Sequence, residues 1–447
     1  MGYNILHYTV GMHKNRGGGM TKYIDDLIEA QKKQNNVFVL YPGKIQIINK
    51  NIRIKEEKHN DIKIFSIINP LPLPMLFGIQ DYDYLFKKSK IDIWKSFLKD
   101  NRIEIIHMHT LMGIYEEFLD AANELMIPIL YTTHDYFGIC PKQTLFFQDN
   151  ICNDWNNCKN CVKCNMTAMS KFKNYLVHTK LFIYSRKYKL FKIFKSKAKC
   201  KINKQSNNIR TKKKYDINYY LSLKEKMLRM FNKITFFHFN SSISSAVFHK
   251  AIPNINGKII NISHNGIVDN RIIRNSYSKV LRVTYLGPST VFKGFYDIIN
   301  AIDSIYKFDK NIELNIFSYT DIDRPYLIKH NNGYNYSDLS NIFNKTDIVI
   351  STSKCLETYG FTAAEALSYG VPVIVSDTMG VKDIVINEKN GYIINNSEIA
   401  FKLKFLMENK DILLKMNKYI CTSKFNDFTK HCEEIDLLYK KIIEGKI

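Results

Sequence analysis

The sequence has 447 residues, of which 45% are apolar, and it carries a net charge of +23 at pH 7. That length predicts two to three domains, and that apolar content excludes a disordered chain. No apolar stretch approaches the ~20 residues of a membrane span, and the first residues lack the parts of a signal peptide, so we expect a cytoplasmic protein without a disulfide framework.

The first elements in chain order form a strand, a glycine loop, a helix and a second strand. The strands are predicted over residues 3–8 and 37–41, and the helix over about 20–34. This order defines a βαβ unit, which belongs in a parallel sheet. Further strands are predicted over 62–67, 103–107, 129–133 and 234–239, and helices over 115–125, 223–231 and 241–250. We therefore predict a Rossmann-like first domain over residues 1–265.

Three histidines lie at the ends of strands in this domain. His134 comes directly after the strand over 129–133, and His107 and His109 stand at the end of the strand over 103–107. Parallel strands bring their carboxyl ends to one edge of a sheet, where ligands bind. A packed or surface role is the simpler interpretation of His134 taken alone. The H-x-H pair could suggest a metal, but no carboxylates cluster beside it, so we expect both histidines to line the cleft.

An insertion is predicted over about 138–215, and its first part holds clustered cysteines. The spacing C-x5-C-x2-C-x2-C joins four of them, after an earlier Cys140: Cys152, Cys158, Cys161 and Cys164. Two consecutive C-x2-C steps suit a tetrahedral zinc thiolate site. A structural zinc site and free cysteines both stay open, and a disulfide is less favoured. A catalytic zinc is not expected, because no histidine lies in the cluster.

The rest of the insertion is strongly basic. No Asp or Glu occurs between Trp155 and Tyr215, while that stretch holds eighteen Lys or Arg residues. Apolar residues such as Leu190, Phe191 and Phe194 are interleaved with them. Basic and apolar residues together favour an interfacial helix on an anionic membrane. A solvated loop and a nucleic-acid site are the alternatives.

A second alternation of strands and helices follows a polar linker over 268–278. Strands are predicted over 281–286, 312–317, 348–350 and 371–375, and helices over 295–306, 339–344 and 362–369. This predicts a second Rossmann-like domain over 266–424, with a last helix within about 425–447 that packs back onto the first domain. The predicted fold class is α/β, with two doubly wound domains that face a cleft where ligands bind.

The strongest chemical signal lies in the second domain. Glu357 and Glu365 stand eight residues apart, the second in the first turn of a helix, and Gly360 lies between them. A helix N-terminus offers unpaired backbone N–H groups and a positive dipole, which suit a diphosphate. The two carboxylates could then accept hydrogen bonds from sugar and ribose hydroxyls. A local alternative is a capping box of Thr362 and Glu365, which would explain Glu365 but not Glu357.

The stretch over 351–392 resembles the donor-binding core of the retaining glycosyltransferases of family 4, which have the two-domain GT-B fold. It holds the E-x7-E motif of that family as Glu357 and Glu365, together with matching runs over 376–381 and 390–392. The resemblance implies that Glu357 faces the donor sugar and that Glu365 faces the ribose. The backbone amides implied to hold the diphosphate are those of Gly360, Phe361 and Thr362.

One lysine follows the first strand of this domain. Lys293-Gly294 opens a helix, and a leaving nucleoside diphosphate needs a cation to take up its negative charge. In the resembled family, a lysine at this place contacts the donor diphosphate. The arginine that the family often has after the strand-end glycine is replaced by Pro288, so another residue, such as Arg16 or Arg324, is expected to supply the second cation. An exposed lysine at a helix start is the alternative for Lys293 alone.

The glycine loop of the first domain agrees with the same family. Gly17, Gly18 and Gly19 resemble its glycine-rich loop, which approaches the donor phosphate and the acceptor. The resemblance also makes His134 a contact of the donor sugar or the acceptor. A nicotinamide enzyme is disfavoured, because Lys22 stands where the dinucleotide fingerprint needs its third glycine and no acid follows the second strand.

The resemblance predicts a glycosyltransferase that needs no metal and moves a sugar from a nucleotide-sugar to a hydroxyl with retention. Retention in this family is usually assigned to front-face attack, with the leaving phosphate as base, so no protein nucleophile is implied. The expected acceptor is a glycan or lipid-linked glycan in cell-surface polysaccharide or glycolipid assembly, at the inner face of the plasma membrane. Nucleic acid is not an expected partner. Two alternatives stay open: an inert GT-B binding or scaffold protein, and a zinc-dependent nucleic-acid-binding protein.

Overall fold

A computed structural model describes residues 2–11, 18–46, 48–59, 61–74, 78–79, 83–154, 156–166, 168–170, 173, 175, 179 and 216–447. Arg16 and Gly17 lie outside these residues. So does the greater part of the basic segment over 170–215, and with it the predicted interfacial helix. Among the residues that are described, no helix is both long enough and apolar enough to cross a bilayer.

The first domain is built on an eight-stranded sheet, and its inserted segment holds a separate hairpin. The strands are β1 (Asn4–Tyr8), β2 (Asn36–Pro42), β3 (Arg53–Glu57), β4 (Lys63–Ile68), β5 (Ile105–Met108), β6 (Ile129–Thr132), the hairpin strands β7 (Phe146–Phe147) and β8 (Asn150–Ile151), β9 (Phe236–Phe239) and β10 (Gly257–Ile259). The large sheet has the order β10-β9-β6-β5-β1-β2-β4-β3, and its neighbours are parallel except for the edge pair β3 and β4. The helices are α1 (Gly19–Gln31), α2 (Ile91–Asp100), α3 (Glu116–Glu124), α4 (Cys161–Asn165), α5 (Ile217–Phe231) and α6 (Ser242–Ala251).

The second domain is built on a six-stranded, fully parallel sheet. Its strands are β11 (Leu281–Tyr285), β12 (Ile312–Ile316), β13 (Leu327–Lys329), β14 (Ile348–Ser351), β15 (Val373–Ser376) and β16 (Gly391–Ile394), in the order β13-β12-β11-β14-β15-β16. Its helices are α7 (Phe295–Tyr306), α8 (Leu339–Asn344), α9 (Phe361–Ser368), α10 (Ile399–Glu408) and α11 (Lys410–Thr422). The predicted class, α/β with two doubly wound domains, is confirmed.

Buried apolar stripes explain why these segments form helices against the sheets. In α7, the buried residues recur at spacings of one, three and four, which places them on one face of a helix: Phe295, Ile298, Ile299, Ile302 and Ile305. The same spacing brings Tyr23, Ile24, Leu27 and Ile28 of α1 into the core. These two helices lead away from the carboxyl ends of β1 and β11, so their N-termini lie at the sheet edges where ligands bind in such folds.

The last helix, α12 (Phe428–Ile443), follows the second domain in sequence but packs on α1 of the first. The Gln31 side-chain amide in α1 donates a hydrogen bond to Asp436, with 2.9 Å between Nε2 and Oδ1. Tyr439 lies fully buried, and its hydroxyl is 2.6 Å from His107 Nδ1. The chain therefore passes between the two domains twice, once after β10 and once before α12.

Several elements differ from their sequence-based predictions, and β3, α2 and α5 are examples. No strand is predicted over β3, because its residues are mostly charged and show no apolar alternation. Charged side chains are typical of a strand at the open edge of a sheet, where β3 lies. No helix is predicted over α2, although Trp94, Phe97 and Leu98 form its buried face. Helix α5 begins six residues before its predicted start, because Tyr220 continues the buried stripe that begins in the prediction with Leu223.

Candidate active site

The two domains touch at the residues that the sequence singles out. Thr358 of the second domain donates a hydrogen bond from its hydroxyl to the backbone oxygen of His134, at 2.8 Å. Gly19 lies so close to Phe361 that a Cβ on the glycine would stand 2.8 Å from the aromatic ring. The carboxyl edges of the two sheets therefore face one another across a closed cleft. A cavity of about 640 Å³ lies elsewhere between the domains, beside Ile262, Tyr359 and His431, and holds none of the predicted catalytic residues.

The N-terminus of α9 faces this cleft without a side-chain cap. Gly360 precedes the helix with a φ of 132°, a conformation that favours glycine, and a Cβ there would lie 2.6 Å from the Met379 methyl group. No side chain of the described residues accepts a hydrogen bond from this helix end as an N-cap. The backbone N–H groups of Phe361 and Thr362 thus belong to an uncapped helix start, which is a favourable place for an anionic group.

Lys293 and Glu357 form an ion pair at the same place. Their side chains are 29% and 14% exposed, and Lys293 Nζ donates to Glu357 Oε1. Burial lowers the pKa of Lys293, but attraction to Glu357 outweighs burial, and the pKa is raised above its ordinary value. The lysine is therefore held as a partly buried ammonium next to a carboxylate. Lys293 closes a short 3-10 turn, Val291–Lys293, between β11 and α7.

Glu365 has a different partner from the one that a capping box would require. Helix α9 begins at Phe361, so Glu365 lies in its second turn rather than its first, and the capping-box interpretation with Thr362 is wrong. Glu365 is 2% exposed, and its Oε1 lies 2.9 Å from Nε2 of His264. Its other oxygen, Oε2, is buried and has no hydrogen-bond partner among the described residues. His264 is not among the site residues predicted from the sequence.

A chain of hydrogen bonds runs inward from His134. Nε2 of His134 lies 3.1 Å from Nδ1 of His109, and Nε2 of His109 lies 3.1 Å from Nδ1 of His7. Nε2 of His7 lies 3.0 Å from Oε1 of Gln31, and the Gln31 amide donates to Asp436. His7 and His109 are fully buried. The cleft is therefore connected through side chains to a carboxylate on α12.

Donor and acceptor roles along this chain follow from its carboxylate end. Because Gln31 gives its N–H to Asp436, its oxygen is left to accept from His7 Nε2. Burial lowers the pKa of His7 to about 4 and that of His134 to about 3, and it lowers the pKa of His109 well below the usual value. Each ring is thus neutral near pH 7 and accepts at Nδ1 from the next ring. His134 carries its proton on Nε2 and keeps a lone pair on Nδ1.

The prediction that His107 and His109 line the cleft is wrong, because both side chains are 0% exposed. Nitrogen atoms of these two residues and His7 lie within 4.8 Å of one another, a spacing that a metal ion could use. His107 is already hydrogen-bonded to Tyr439 through Nδ1 and to Thr132 through Nε2, both at 2.6 Å. Protein groups therefore account for the histidine cluster, which forms the floor beneath the cleft.

The cysteine cluster lies in the inserted segment, around β7, β8 and α4. Cys158 is buried, and a hydrogen bond from the Cys161 thiol lowers its pKa while the pKa of Cys161 is raised. Among the described residues, no three cysteine sulfurs lie within 4.8 Å of one another. The arrangement of Cys152, Cys158, Cys161 and Cys164 in this structure does not fit a tetrahedral zinc site, and the zinc site stays a prediction.

Arg324 does not lie where it could replace the arginine that is missing at position 288. Its side chain is 42% exposed, and its guanidinium pairs with Asp303, with 2.8 Å between Nε and Oδ1. Asp303 lies nine residues along α7 from Gly294, which corresponds to about 13 Å of helix. Arg324 therefore stands well away from the ammonium of Lys293, and Arg16 lies outside the described residues.

Comparison with known families agrees with the second-domain half of this site. Residues 328–421 match the model of a family described as glycosyl transferases group 1. The matched segment includes Glu357, Gly360 and Glu365, and the match confirms the resemblance predicted from the sequence. No curated protein matches the chain.

Solved structures share the fold over nearly the whole chain. Sucrose-phosphate synthase from Thermosynechococcus elongatus is 13% identical, with 99% of this chain and 100% of that chain covered and a TM-score of 0.59. A glycosyltransferase from Rickettsia africae is 13% identical, with 99% of each chain covered and a TM-score of 0.58. The Anabaena protein HepE, in complex with UDP and glucose, is 12% identical, with 98% and 99% covered and a TM-score of 0.55. At these identities the likeness establishes the fold, and the predicted GT-B architecture is confirmed.

Proposed function

We propose that this protein is a glycosyltransferase that moves a sugar from a nucleoside-diphosphate sugar to an acceptor hydroxyl with retention at the anomeric carbon. The observation that carries the proposal is the ion pair of Lys293 and Glu357 beside the uncapped start of α9. A lysine ammonium and unpaired helix amides suit a diphosphate, while a carboxylate next to them suits sugar hydroxyls. The likeness of residues 328–421 to glycosyl transferases group 1 supports the same conclusion.

The proposed chemistry assigns each group a task. As the bond from the anomeric carbon to the diphosphate breaks, negative charge grows on the leaving phosphate, and Lys293 with the α9 amides stabilises it. Lys293 exchanges Glu357 for phosphate oxygens when the donor binds, which leaves Glu357 to accept hydrogen bonds from the sugar. The acceptor hydroxyl attacks on the same face and passes its proton to the leaving phosphate. Cation and amides supply the positive charge, so the proposal needs no metal ion.

His134 has a supporting role in this proposal. It is neutral, because burial lowers its pKa to about 3, and its Nδ1 can accept a hydrogen bond from a sugar hydroxyl. A neutral ring adds no positive charge that would compete with Lys293 for the diphosphate. Its backbone oxygen is also the contact through which Thr358 joins the two domains.

The acceptor is proposed to be a glycan or lipid-linked glycan, bound mainly by the first domain at a membrane surface. Support comes from the eighteen Lys or Arg residues between Trp155 and Tyr215, a stretch without Asp or Glu. Basic charge near a membrane attracts anionic lipids. Co-sedimentation with vesicles that contain phosphatidylglycerol measures this. A variant with the lysines over 187–204 replaced by glutamine should stay in the supernatant, and undiminished binding contradicts the membrane proposal.

A thermal-shift screen tests the proposed activity directly. UDP-, GDP- and ADP-sugars are added to the wild type, to Lys293→Ala and to Lys95→Ala. Lys95 is a matched control, because it is 30% exposed and paired with Glu124 in the first domain. We expect one class of donor to raise the Tm of the wild type and of Lys95→Ala but not of Lys293→Ala. No response to any donor contradicts the proposal, and binding without turnover favours the inert scaffold instead.

Retention has a separate test. Without an acceptor, many glycosyltransferases transfer the donor sugar slowly to water. Proton NMR of the sugar released first gives its anomeric configuration. We expect the configuration of the donor to be kept. Inversion would contradict front-face attack while leaving the glycosyltransferase assignment in place.

A further inference from the structure

The turn that leaves the first domain carries a buried histidine whose two ring nitrogens are both engaged. The backbone N–H of Gly266 donates to Nδ1 of His264 at 3.0 Å. Nε2 of His264 lies 2.9 Å from Oε1 of Glu365. The ring is 0% exposed. Because Nδ1 accepts a hydrogen bond, a neutral ring carries its proton on Nε2 and donates it to the Glu365 carboxylate.

Neighbouring groups hold this histidine in place. The ring lies edge-on to Phe361 and Tyr336, with centroid distances of 4.9 Å and 5.4 Å. The next residue, Asn265, donates its backbone N–H to Asp26 in α1, at 2.9 Å. The turn is thus anchored to the first domain while its imidazole contacts the second. Glu365 cannot change its orientation without breaking the bond to His264.

Oε2 of Glu365 is the second observation, and it points to a ligand. This oxygen is buried and has no hydrogen-bond partner among the described residues, although the residue is only 2% exposed. Buried carboxylate oxygens are normally satisfied by donors. Phe361 and Tyr336, which pack on the His264 ring, approach Gly19 and Lys22 of the first domain. The pair of His264 and Glu365 therefore lies at the boundary between the two domains.

We propose that His264 is a positioning residue: it holds one oxygen of Glu365 so that the other receives a ribose hydroxyl of a nucleoside diphosphate. This inference rests on the proposed function, because it takes the nucleoside diphosphate as the ligand of the cleft. His264 thus acts on the ribose only through Glu365, and ribose recognition depends on the turn between the two domains.

Two substitutions separate the two bonds of His264. In His264→Asn, the side-chain oxygen takes the place of Nδ1 and can accept from Gly266, but no group reaches Glu365. In His264→Gln, the side-chain N–H takes the place of Nε2 and can donate to Glu365, while the bond from Gly266 is lost. A purely structural role in the turn would make His264→Gln the more harmful change. The proposal predicts the opposite for nucleotide binding.

The experiment measures binding of UDP, GDP and ADP, and of their 2′-deoxy forms, by calorimetry on the full chain. With the nucleotide that binds the wild type, we expect His264→Asn to weaken affinity about ten-fold, the size of one hydrogen bond to a charged group, and His264→Gln to stay within about three-fold. The wild type should prefer the ribonucleotide over its 2′-deoxy form, and His264→Asn should lose most of that preference.

The outcomes separate the inference from the proposed function. If no nucleotide binds the wild type, the proposed function fails, and the inference fails with it. If the wild type binds but His264→Asn keeps both affinity and ribose preference, the inference alone is overturned. It is also overturned if His264→Gln loses as much affinity as His264→Asn. Should His264→Asn not fold, ribose preference in His264→Gln decides: its retention supports the inference and its loss overturns it.

Discussion

The two halves of the candidate site differ in construction. In the second domain, Glu357 and Glu365 come from nine consecutive residues, and the charges of Lys293 and Glu357 are partly exposed. In the first domain, the chain from His134 to Asp436 is assembled from distant segments, and burial keeps its histidines neutral. The second-domain half holds charged side chains that a ligand can reach, and the first-domain half consists of neutral, hydrogen-bonded histidines beneath the cleft. The charged half is formed largely by one short motif, whereas the neutral half forms only when distant segments fold together.

The largest effect that we expect is a loss of stability in acid, because protonation of the buried histidines in the neutral half favours the unfolded chain. Burial lowers the pKa of His7 to about 4 and that of His107 and His109 well below the usual value. It also lowers to about 4 the pKa of His238 in β9, which is joined to His107 through Thr132. A histidine with a lowered pKa takes up its proton on unfolding, so its contribution to stability is complete above pH 6.5 and falls as the pH falls. From pH 6.5 to 5.5, the free energy of unfolding should drop by about 1 kcal/mol for each, about 4 kcal/mol for the four.

Chemical denaturation at several pH values measures this drop. Asp135 acts in the opposite direction, because burial raises its pKa to about 6 and the folded protein takes up that proton first. One carboxyl cannot offset four histidines. A free energy of unfolding that is constant between pH 6.5 and 5.5 would show that the histidines are accessible to water.

Removal of the Lys293 ammonium should lower the catalytic rate without unfolding the protein. We expect Lys293→Ala to lower kcat about 100-fold or more, the usual loss when one group that stabilises transition-state charge is removed. Lys95→Ala, which removes a lysine of similar exposure from another ion pair, should keep wild-type kcat. Nucleoside diphosphate release gives the rates. Equal rates in the two variants would mean that Lys293 does not contact the leaving group.

Gln31 tests the link between the histidine chain and α12. Gln31→Leu leaves His7 Nε2 and Asp436 Oδ1 without their partner, which should lower the free energy of unfolding by about 2 kcal/mol. Gln34→Leu makes the same chemical change just beyond the end of α1 on an exposed side chain, and it should cost less than about 0.5 kcal/mol. Denaturant titration gives both values. Similar losses would argue that the chain contributes little to stability.

Arg324 gives the smallest expected effect. Because its guanidinium pairs with Asp303 far along α7, Arg324→Ala should leave kcat/KM unchanged within experimental error. A loss comparable to that of Lys293→Ala would mean that Arg324 leaves Asp303 when the donor binds.

The sequence allowed prediction of many regular elements in which the apolar residues follow the period of a helix or a strand. Helices α7 and α8 have the boundaries that their apolar spacing predicts. The exposed edge strand β3 has no such pattern, so propensity alone could not identify it. Helices α2 and α10 were not predicted, although both carry apolar stripes that are visible in the sequence.

The candidate site also contains residues that the sequence identifies and residues that it does not. The sequence identifies part of the site because charged residues and glycines occur in loops that directly follow buried strands. These residues are Glu357, Gly360 and Lys293. His264 has no such context, since its partner Glu365 is 101 residues away and a lone histidine after a strand has many roles. Gln31 and Asp436 are 405 residues apart and look like ordinary helix-surface residues. Their pairing depends on how α12 is aligned against α1, and the prediction that the last helix packs on the first domain does not specify that alignment.

The return of α12 to the first domain has a consequence for the order of folding during synthesis. Asp436 and Tyr439 complete hydrogen bonds to Gln31 and His107, yet the ribosome makes them more than 300 residues later. Until then, Nε2 of Gln31 and Nδ1 of His107 lack these partners, and the face of α1 that α12 covers is exposed to water. The first domain therefore stays incompletely packed while the second domain is translated, and its packing is completed only as residues 428–443 emerge.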